Sequence, residues 1–283
     1  MADGTMTGRR PMRHAGRVAT HVVLIIGAIV MVGPFVWQLL TSLKAFSETT
    51  RVPPTFLPDR WEWSNYLQVF DLLPLGDMFR NTVLMTAGRT LAQLAFCSLA
   101  AYAFARLRFR GNNLLFGLFL SVLMVPSQLF LIPQYVIVQD LGWVNTLPGL
   151  IVPGMFSAFG TFLLRQFFLA LPRDMEEAAR LDGANPLQVF WHVALPLARP
   201  GLLALTILTA LWSWNDFMYP LVVTTDPAKM PLSAGLGTLQ GEHFTDYSIL
   251  MAGSALATAP MVVAFILLQR HFIQGIAFTG SKG

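Results

Sequence analysis

The sequence predicts an all-α integral membrane protein: six transmembrane helices, with a cytoplasmic helix–turn–helix between the fourth and the fifth. Three observations carry that prediction. Runs of roughly 20 apolar residues recur, the length that crosses a hydrocarbon core of about 30 Å at about 1.5 Å per residue. Hydrophobic residues make up 54% of the 283 and charged residues 12%, where a soluble domain carries roughly 25% charge. Between two of the apolar runs, 172–196 brings in acids, arginines, an Asn-Pro and further prolines.

The spans are expected at 21–43, 82–105, 114–138, 146–169, 201–223 and 248–269. Pro34, Pro126, Pro133, Pro153, Pro220 and Pro260 fall in or near them, which membrane helices tolerate when neighbours satisfy the freed carbonyls. None of the runs alternates as the strands of a membrane barrel do. The first run, Val22 to Leu40, exceeds the roughly 7–15 residues of a signal-peptide core, and no small-residue cleavage site follows. It is therefore expected to stay as an uncleaved helix after a tail of residues 1–20. Residues 44–76 form an extracytoplasmic loop in which Trp61, Trp63 and Tyr66 suit the membrane interface. Residues 77–270 form a five-helix membrane domain, and 271–283 a second tail. Cys97 is the sole cysteine; it permits no intramolecular disulfide and suits a small buried position.

Orientation follows from basic residues in short loops. Arg9, Arg10, Arg13 and Arg17 precede the first span; Arg106, Arg108 and Arg110 follow the second; Arg173, Arg180 and Arg199 follow the fourth; Arg270 and Lys282 follow the sixth. On the opposite side 139–145 has no Lys or Arg, and 224–247 has only Lys229. Lys44, Arg51, Arg60 and Arg80, after the first span, are offset by acids. Both termini and 172–200 are thus expected in the cytoplasm. The same bias accounts for the pI near 9.6 without nucleic acid.

Within 172–196, Pro172 ends the incoming span, Asp174 is placed to cap a short helix, and Glu177 lies at capping-box distance from it. Gly183 suits a terminator with positive φ. Asn185, Pro186 and Gln188 restart a helix as N-cap, first residue and box partner. Leu187, Phe190, Trp191 and Ala194 then form an apolar stripe, and Pro196 and Pro200 close the element. A plain connector needs no paired, capped amphipathic helices, so the element suits presentation to another protein. Connection alone is the alternative.

Glu177-Ala178-Ala179, three residues, Gly183, nine residues, then Val193-Ala194-Leu195-Pro196 resembles the EAA motif of permease subunits of binding-protein-dependent ABC importers. Val193 stands where that pattern has Ile. The resemblance extends over most of the chain: "VGPFVWQLLTSLK", "FRNTVLMTAG", "AAYAFARLRFRG", "MVPSQLFLIPQYVIVQDLGWVNTLPGLI", "LWSWNDFMYPLV" and "FIQGIAFTGSKG" are similar to the carbohydrate-uptake branch. It implies the type I ABC importer transmembrane fold over 77–270, with 172–200 as coupling loop. Glu177, Ala178, Ala179, Gly183, Leu195 and Pro196 are then the residues that couple to an ATPase. The two alanines would allow close approach in a groove, and Glu177 would cap its own helix, meet a partner's cation, or both. The implied partners are a second homologous permease, two ABC ATPase subunits that use ATP and Mg, an extracytoplasmic solute-binding protein, and the bilayer of a bacterial or archaeal cell membrane. No cofactor on this chain is implied.

Charges at depth cost roughly 2.5–3.5 kcal/mol on the insertion scale and are functional candidates. Arg89 lies in line with Gln93, Cys97, Ala101 and Ala105 on one face of span two. Asp216 follows Thr206, Thr209 and Ser213 on one face of span five. Both charges fall roughly 10–12 Å inside the outer ends at 1.5 Å per residue, so they are expected to meet there as part of an external gate or of the solute path. Arg89 snorkelling outward, or Asp216 bonding only local backbone, are the alternatives. Trp212, Trp214 and Tyr219 flank Asn215 and Asp216; anchoring or packing suits them, with sugar contact the alternative. Gly253 and Ala257 offer a small-residue face for a second permease or for internal packing.

An ion-coupled secondary carrier would show acids near mid-membrane and an internal repeat, and neither is present. The scattered His14, His21, His192, His243 and His271 give no metal-ligand spacing, no nucleophile–base set stands out, and no P-loop occurs. ATP hydrolysis is thus expected in a partner, and this chain is not expected to be an enzyme. A passive channel would need no cytoplasmic docking element. The expected cargo is a sugar or sugar-like solute.

Overall fold

Lipid offers backbone amides no partner, so a spanning segment must bond within itself; the described residues accordingly form helices and no strand. The computed structural model describes residues 10–241 and 245–280, with side-chain surroundings for 20–241 and 245–267. The terminal side chains of Arg9, Arg10, Arg13, Arg17, Arg270 and Lys282, which weighed in the orientation reading, lie outside these, as do those of His14, His243 and His271. The chain divides into two units, Met1–Val69 with Phe244–Ala255, and Phe70–His243 with Leu256–Gly283.

In the first unit α1 (Arg10–Ser42) begins well before the expected residue 21 and runs through Pro34. Its apolar side chains, Val23 and Met31 among them, are exposed, as a lipid-facing helix requires. The loop after it is folded rather than featureless. A single turn (Phe46–Thr49) and α2 (Ser64–Leu72) close on the end of α1. Asn65 Nδ2 donates to the carbonyls of Ser42 and Lys44, each at 2.9 Å, and the buried Lys44 donates to Thr55 O. Tyr66 is tied to Ser42 Oγ at 2.8 Å and so serves the loop's own packing, whereas Trp61 and Trp63 are exposed. Gly253 is buried within the chain, which favours internal packing for it.

The second unit is organised on α3 (Leu75–Arg106), which starts before the expected residue 82. Then come α4 (Asn112–Met124) and α5 (Ser127–Asp140), bent by 96°, and α6 (Leu147–Gly154) and α7 (Ala158–Ala170), bent by 46°. The polar element that follows is α8 (Arg173–Leu181) and α9 (Pro186–Leu197), and α9 meets α10 (Arg199–Trp214) at 76°. Two short helices, α11 (Met218–Val223) and α12 (Leu232–Gly237), precede α13 (Tyr247–Gly280), which continues through Pro260. Among the described residues three helices are long and apolar enough to cross alone, and counting each bent pair as one span gives up to six. The fifth is better drawn as α10 with α11, because α10 alone rises only about 24 Å at about 1.5 Å per residue and α9 belongs to the polar element.

The spans expected to be continuous at 114–138, 146–169 and 201–223 are therefore broken. Proline explains the first and third breaks: its ring meets the carbonyl four residues back and it donates no amide hydrogen, and Pro126 and Pro220 stand at or just after them. The second falls after Pro153, where Ser157 caps α7, its Oγ accepting from Gly160 N at 3.1 Å. Where α3, α7, α9 and α10 meet, Tyr102, Phe168 and Phe190 pack with ring centroids 5.2–6.3 Å apart, among the buried Cys97, Ala101, Leu164, Ala194, Ala198 and Leu205.

Candidate functional site

Two places concentrate chemistry in the second unit, the α8–α9 hairpin and a polar cluster within the spans.

The start of α8 differs from the expected capping box. Its N-cap position is Pro172, with no side-chain cap, and Asp174 lies inside the first turn, where a carboxylate still favours the helix dipole. Pro172, with its φ of −58°, starts the helix earlier than Asp174 could. Glu177 consequently caps nothing and is exposed. The end matches expectation. Gly183 has φ +86°, its amide bonds Arg180 O at 3.0 Å, and Ala184 N bonds Ala179 O at 3.0 Å, the paired bonds of a Schellman terminator. No heavy atom lies within 4 Å of a Cβ built at Gly183; φ alone calls for glycine here. Asn185 then caps α9 in a full box: its Oδ1 accepts from Gln188 N at 2.9 Å, and its own N donates to Gln188 Oε1 at 2.8 Å.

The apolar stripe shifts from its expected register. Phe190 and Ala194 are buried, but Leu187 and Trp191 are exposed, and Val189 is buried instead. Phe190–Ala194 is a π-helical turn, the expansion expected where Pro196 leaves a carbonyl unbonded, and it rotates the residues around it. The tip thus presents Leu181, 89% exposed, with Leu187, Trp191, Glu177 and Ala178. Ala179 is half-buried, and Leu195 and Pro196 lie in the stem of α9 away from the tip.

The hairpin's anchor was not anticipated. Glu176, not Glu177, turns inward, and its carboxylate lies 2.9 Å from Arg106 Nε at the end of α3, with side-chain exposures of 6% and 4%. The contact is an ion pair without hydrogen-bond alignment, since neither atom meets a bonding angle. Arg106 also donates to Leu171 O at 2.6 Å, and Arg180 approaches Glu176 at 3.8 Å. The one signal for it in the sequence is the spacing of Glu176 and Arg180 on one helical face.

In the membrane-spanning part, Arg89 is 7% exposed and meets Asp216 Oδ2 at 2.7 Å through Nη1. Its Nε donates to Leu150 O at 2.8 Å. Gln93 donates to Gly154 O at 2.8 Å and accepts from Thr209 Oγ1 at 2.9 Å. Tyr219 donates to Gly149 O at 2.6 Å and lies under the Arg89 guanidinium at 5.8 Å. Asp216 stands outside the helix where it was expected, because α10 ends at Trp214 with Asn215 as its C-cap. Its backbone oxygen, four residues before Pro220, accepts from Ser233 Oγ. Gly154 is required by approach: a Cβ there would lie 2.6 Å from Arg89 Nε.

Two cavities, about 270 and about 250 Å³, share Arg89, Gly154 and Asp216 as wall. The first adds Ser127, Gln128 and Gln134 from the broken third span. The second adds Gln93, Thr209, Trp212 and Ser213, and the buried Ser213 Oγ has no hydrogen-bond partner among the described residues. Arg89, Gln93, Ser213 and Asp216 thus come together. Trp214 and Asn215 do not line either cavity: the Trp214 indole donates to Ala257 O at 3.2 Å and meets Phe79 edge-on, and the Asn215 amide donates to Leu211 O. Among the described residues no His, Cys, Asp or Glu group could hold a metal.

A family model described as "Binding-protein-dependent transport system inner membrane component" matches residues 93–278. Among curated proteins, the arabinooligosaccharides transport system permease protein AraQ of Halalkalibacterium halodurans is 34% identical over 259 residues, covering 90% of this chain and 93% of that protein. The sn-glycerol-3-phosphate transport system permease protein UgpE of Yersinia enterocolitica is 31% identical over 264 residues, covering 90% and 94%. Among solved structures, a chain of a bacterial ABC transporter involved in the import of the acidic polysaccharide alginate matches with a TM-score of 0.79 at 25% identity, over 95% of this chain and 100% of that one.

Proposed function

This chain belongs to the family of inner membrane components of binding-protein-dependent transport systems, as an ABC importer permease of the carbohydrate-uptake kind, and from that premise we propose how it works. It moves a sugar or sugar-like solute into the cell by alternating access, driven by ATP that two partner ATPase subunits hydrolyse with Mg. A second homologous permease completes the path, and an extracytoplasmic binding protein delivers the solute. Both termini and the α8–α9 hairpin lie in the cytoplasm.

The observation that carries this reading is the build of the hairpin. Its tip exposes Leu181, Leu187 and Trp191, while Phe190 and Ala194 root its stem among α3, α7 and α10. A force applied at the tip is therefore delivered to three spans at once. Glu177, Ala178 and Gly183 act at the tip, Ala179 beside them, and Leu195 and Pro196 set the stem's angle. The Arg89–Asp216 cluster forms a polar constriction between its two cavities, with Gln93, Ser213 and Thr209 offering hydroxyl and amide partners to a solute. Asp216 is held by Arg89 and so suits a structural latch better than the free acid a proton-coupled carrier needs.

The test is co-purification of the tagged chain from mild detergent with mass spectrometry of its partners. An ATPase and a second permease should accompany the native chain. Gly183→Pro, which cannot take φ +86°, and the surface pair Leu181→Asp with Leu187→Asp should lose the ATPase while keeping the second permease. A native chain that comes down alone after crosslinking would overturn the proposal.

A further inference from the structure

Beneath the hairpin lies a cleft of about 1060 Å³ that the transport reading leaves unused. Arg106, Arg108, Arg110, Arg165, Arg173 and Arg180 line it, against the carboxylates of Glu176 and Glu177. The positive-inside bias accounts for arginines on this side, but it requires only that they occur in the right loops. It does not require residues from the end of α3, the turn after it, α7 and α8 to converge on one hollow.

Half of the six arginines there are not consumed internally. Arg106 and Arg180 attend Glu176, and Arg165 lies over the Phe116 ring at 4.2 Å. Arg108, Arg110 and Arg173 line the cleft and make no ion pair among the described residues. The position is that of a membrane surface: span two ends at Arg106 and span three begins at Asn112. The wall also carries Leu107 and Phe109, both exposed and apolar, and α4 continues from it with the exposed Leu114 and Leu115. A hollow that is cationic at headgroup level and apolar towards the acyl region matches an anionic lipid rather than a soluble ion. Guanidinium groups are the side chains best suited to phosphate oxygens, and basic pockets between membrane helices on the cytoplasmic side are recognised lipid headgroup sites.

We infer that this cleft binds the phosphodiester headgroup of an acidic phospholipid, which bridges the α3–α4 turn to the base of the coupling hairpin. The leaflet follows from the proposed orientation, whereas the headgroup chemistry does not depend on it or on ATPase coupling.

The test uses the whole assembly as purified through the tagged chain, delipidated in detergent and titrated with phosphatidylglycerol or phosphatidylcholine, with retained lipid counted by native mass spectrometry. The variant is Arg108→Gln, Arg110→Gln and Arg173→Gln together, all surface changes. Phosphatidylglycerol should bind the native protein more tightly than phosphatidylcholine, and the variant should lose about fivefold in affinity for each arginine removed, with phosphatidylcholine unaffected. Equal retention of the two lipids, or an unchanged variant, overturns the inference. Displacement of phosphatidylglycerol by millimolar inorganic phosphate would instead assign the cleft to a soluble anion. A variant that keeps its lipid but sheds the ATPase would assign it to a protein contact. Lipid binding is counted whether or not an ATPase accompanies the chain, so failure of the transport reading is distinguishable from failure of this one.

Discussion

The Glu176–Arg106 pair offers the sharpest test of how the hairpin is held. Glu176→Gln keeps the shape and removes the charge, leaving Arg106 buried with a single remaining carbonyl partner at Leu171. Uncompensated burial of one partner of an ion pair costs about 3–5 kcal/mol. Two features lower that here. Gln still offers an acceptor, and the adjoining cleft admits water to the guanidinium. The contact between Arg180 and Glu176 adds little, since the Arg180 side chain is 47% exposed and such pairs contribute about 0–1 kcal/mol. The expected loss is therefore about 2 kcal/mol. The double variant Arg106→Met with Glu176→Met should recover most of it, because a buried pair replaced by apolar groups is often neutral or stabilising. The assay is thermal unfolding of the purified assembly, alongside ATPase activity with and without solute-loaded binding protein. Glu176→Gln should lower the unfolding temperature and weaken the stimulated rate several-fold, with the basal rate retained. An unfolding temperature and stimulation both unchanged in Glu176→Gln, or a double variant worse than the single one, would refute the reasoning.

Gly183→Ala should cost about 1–2 kcal/mol through its left-handed φ alone, and should weaken ATPase association measured by titration, since no neighbour crowds the new methyl. Asn185→Ala removes one half of the α9 capping box and should cost about 0.5–2 kcal/mol, read as a lower unfolding temperature. Gly154→Ala places a methyl against the Arg89 guanidinium and should reproduce the transport loss of Arg89→Gln without touching a charge; unimpaired uptake in proteoliposomes would speak against the role given to Arg89. Trp214→Phe drops one hydrogen bond to Ala257 and should lower stability by about 1 kcal/mol, with solute preference in uptake competition unchanged.

Much of this fold is legible in the sequence because lipid imposes few solutions. A long apolar run has to be a helix, and α1 and α13 follow directly. Caps are legible for the same reason of locality: Asn185, Pro186 and Gln188 lie within four residues and bond as their spacing suggests. Gly183 likewise needs only its own φ. What stayed hidden depends on distant partners. Glu176 and Glu177 are adjacent acids that no local rule separates, and only the end of α3, bringing Arg106 to α8, decides that Glu176 is the buried one. The α9 stripe departs from its local spacing at a single π turn, with Val189 on the buried face and Trp191 exposed. Arg89 and Asp216 could be matched in depth because both count from the outer ends, but the acceptors that hold Arg89 and Gln93, Leu150 O and Gly154 O, carry no side-chain signature at all.

Those acceptors point to a principle that joins the prolines to the polar cluster. A proline in a helix releases the carbonyl four residues before it, and in lipid that oxygen must find another donor. Pro153 releases Gly149 O, which the Tyr219 hydroxyl takes at 2.6 Å; Asp216 O, in the break between α10 and α11, is taken by Ser233. The bend after α6 leaves Leu150 O and Gly154 O free for Arg89 and Gln93. The costly charge at depth and the costly breaks thus satisfy one another, and neither is stable alone. Removing Pro153 should accordingly unsettle Tyr219 before it straightens a helix. Pro153→Ala lets α6 recover its own bond and leaves the Tyr219 hydroxyl competing for an occupied acceptor. It should therefore impair transport although it improves local helix propensity, a sign opposite to that expected if the proline were only a tolerated defect.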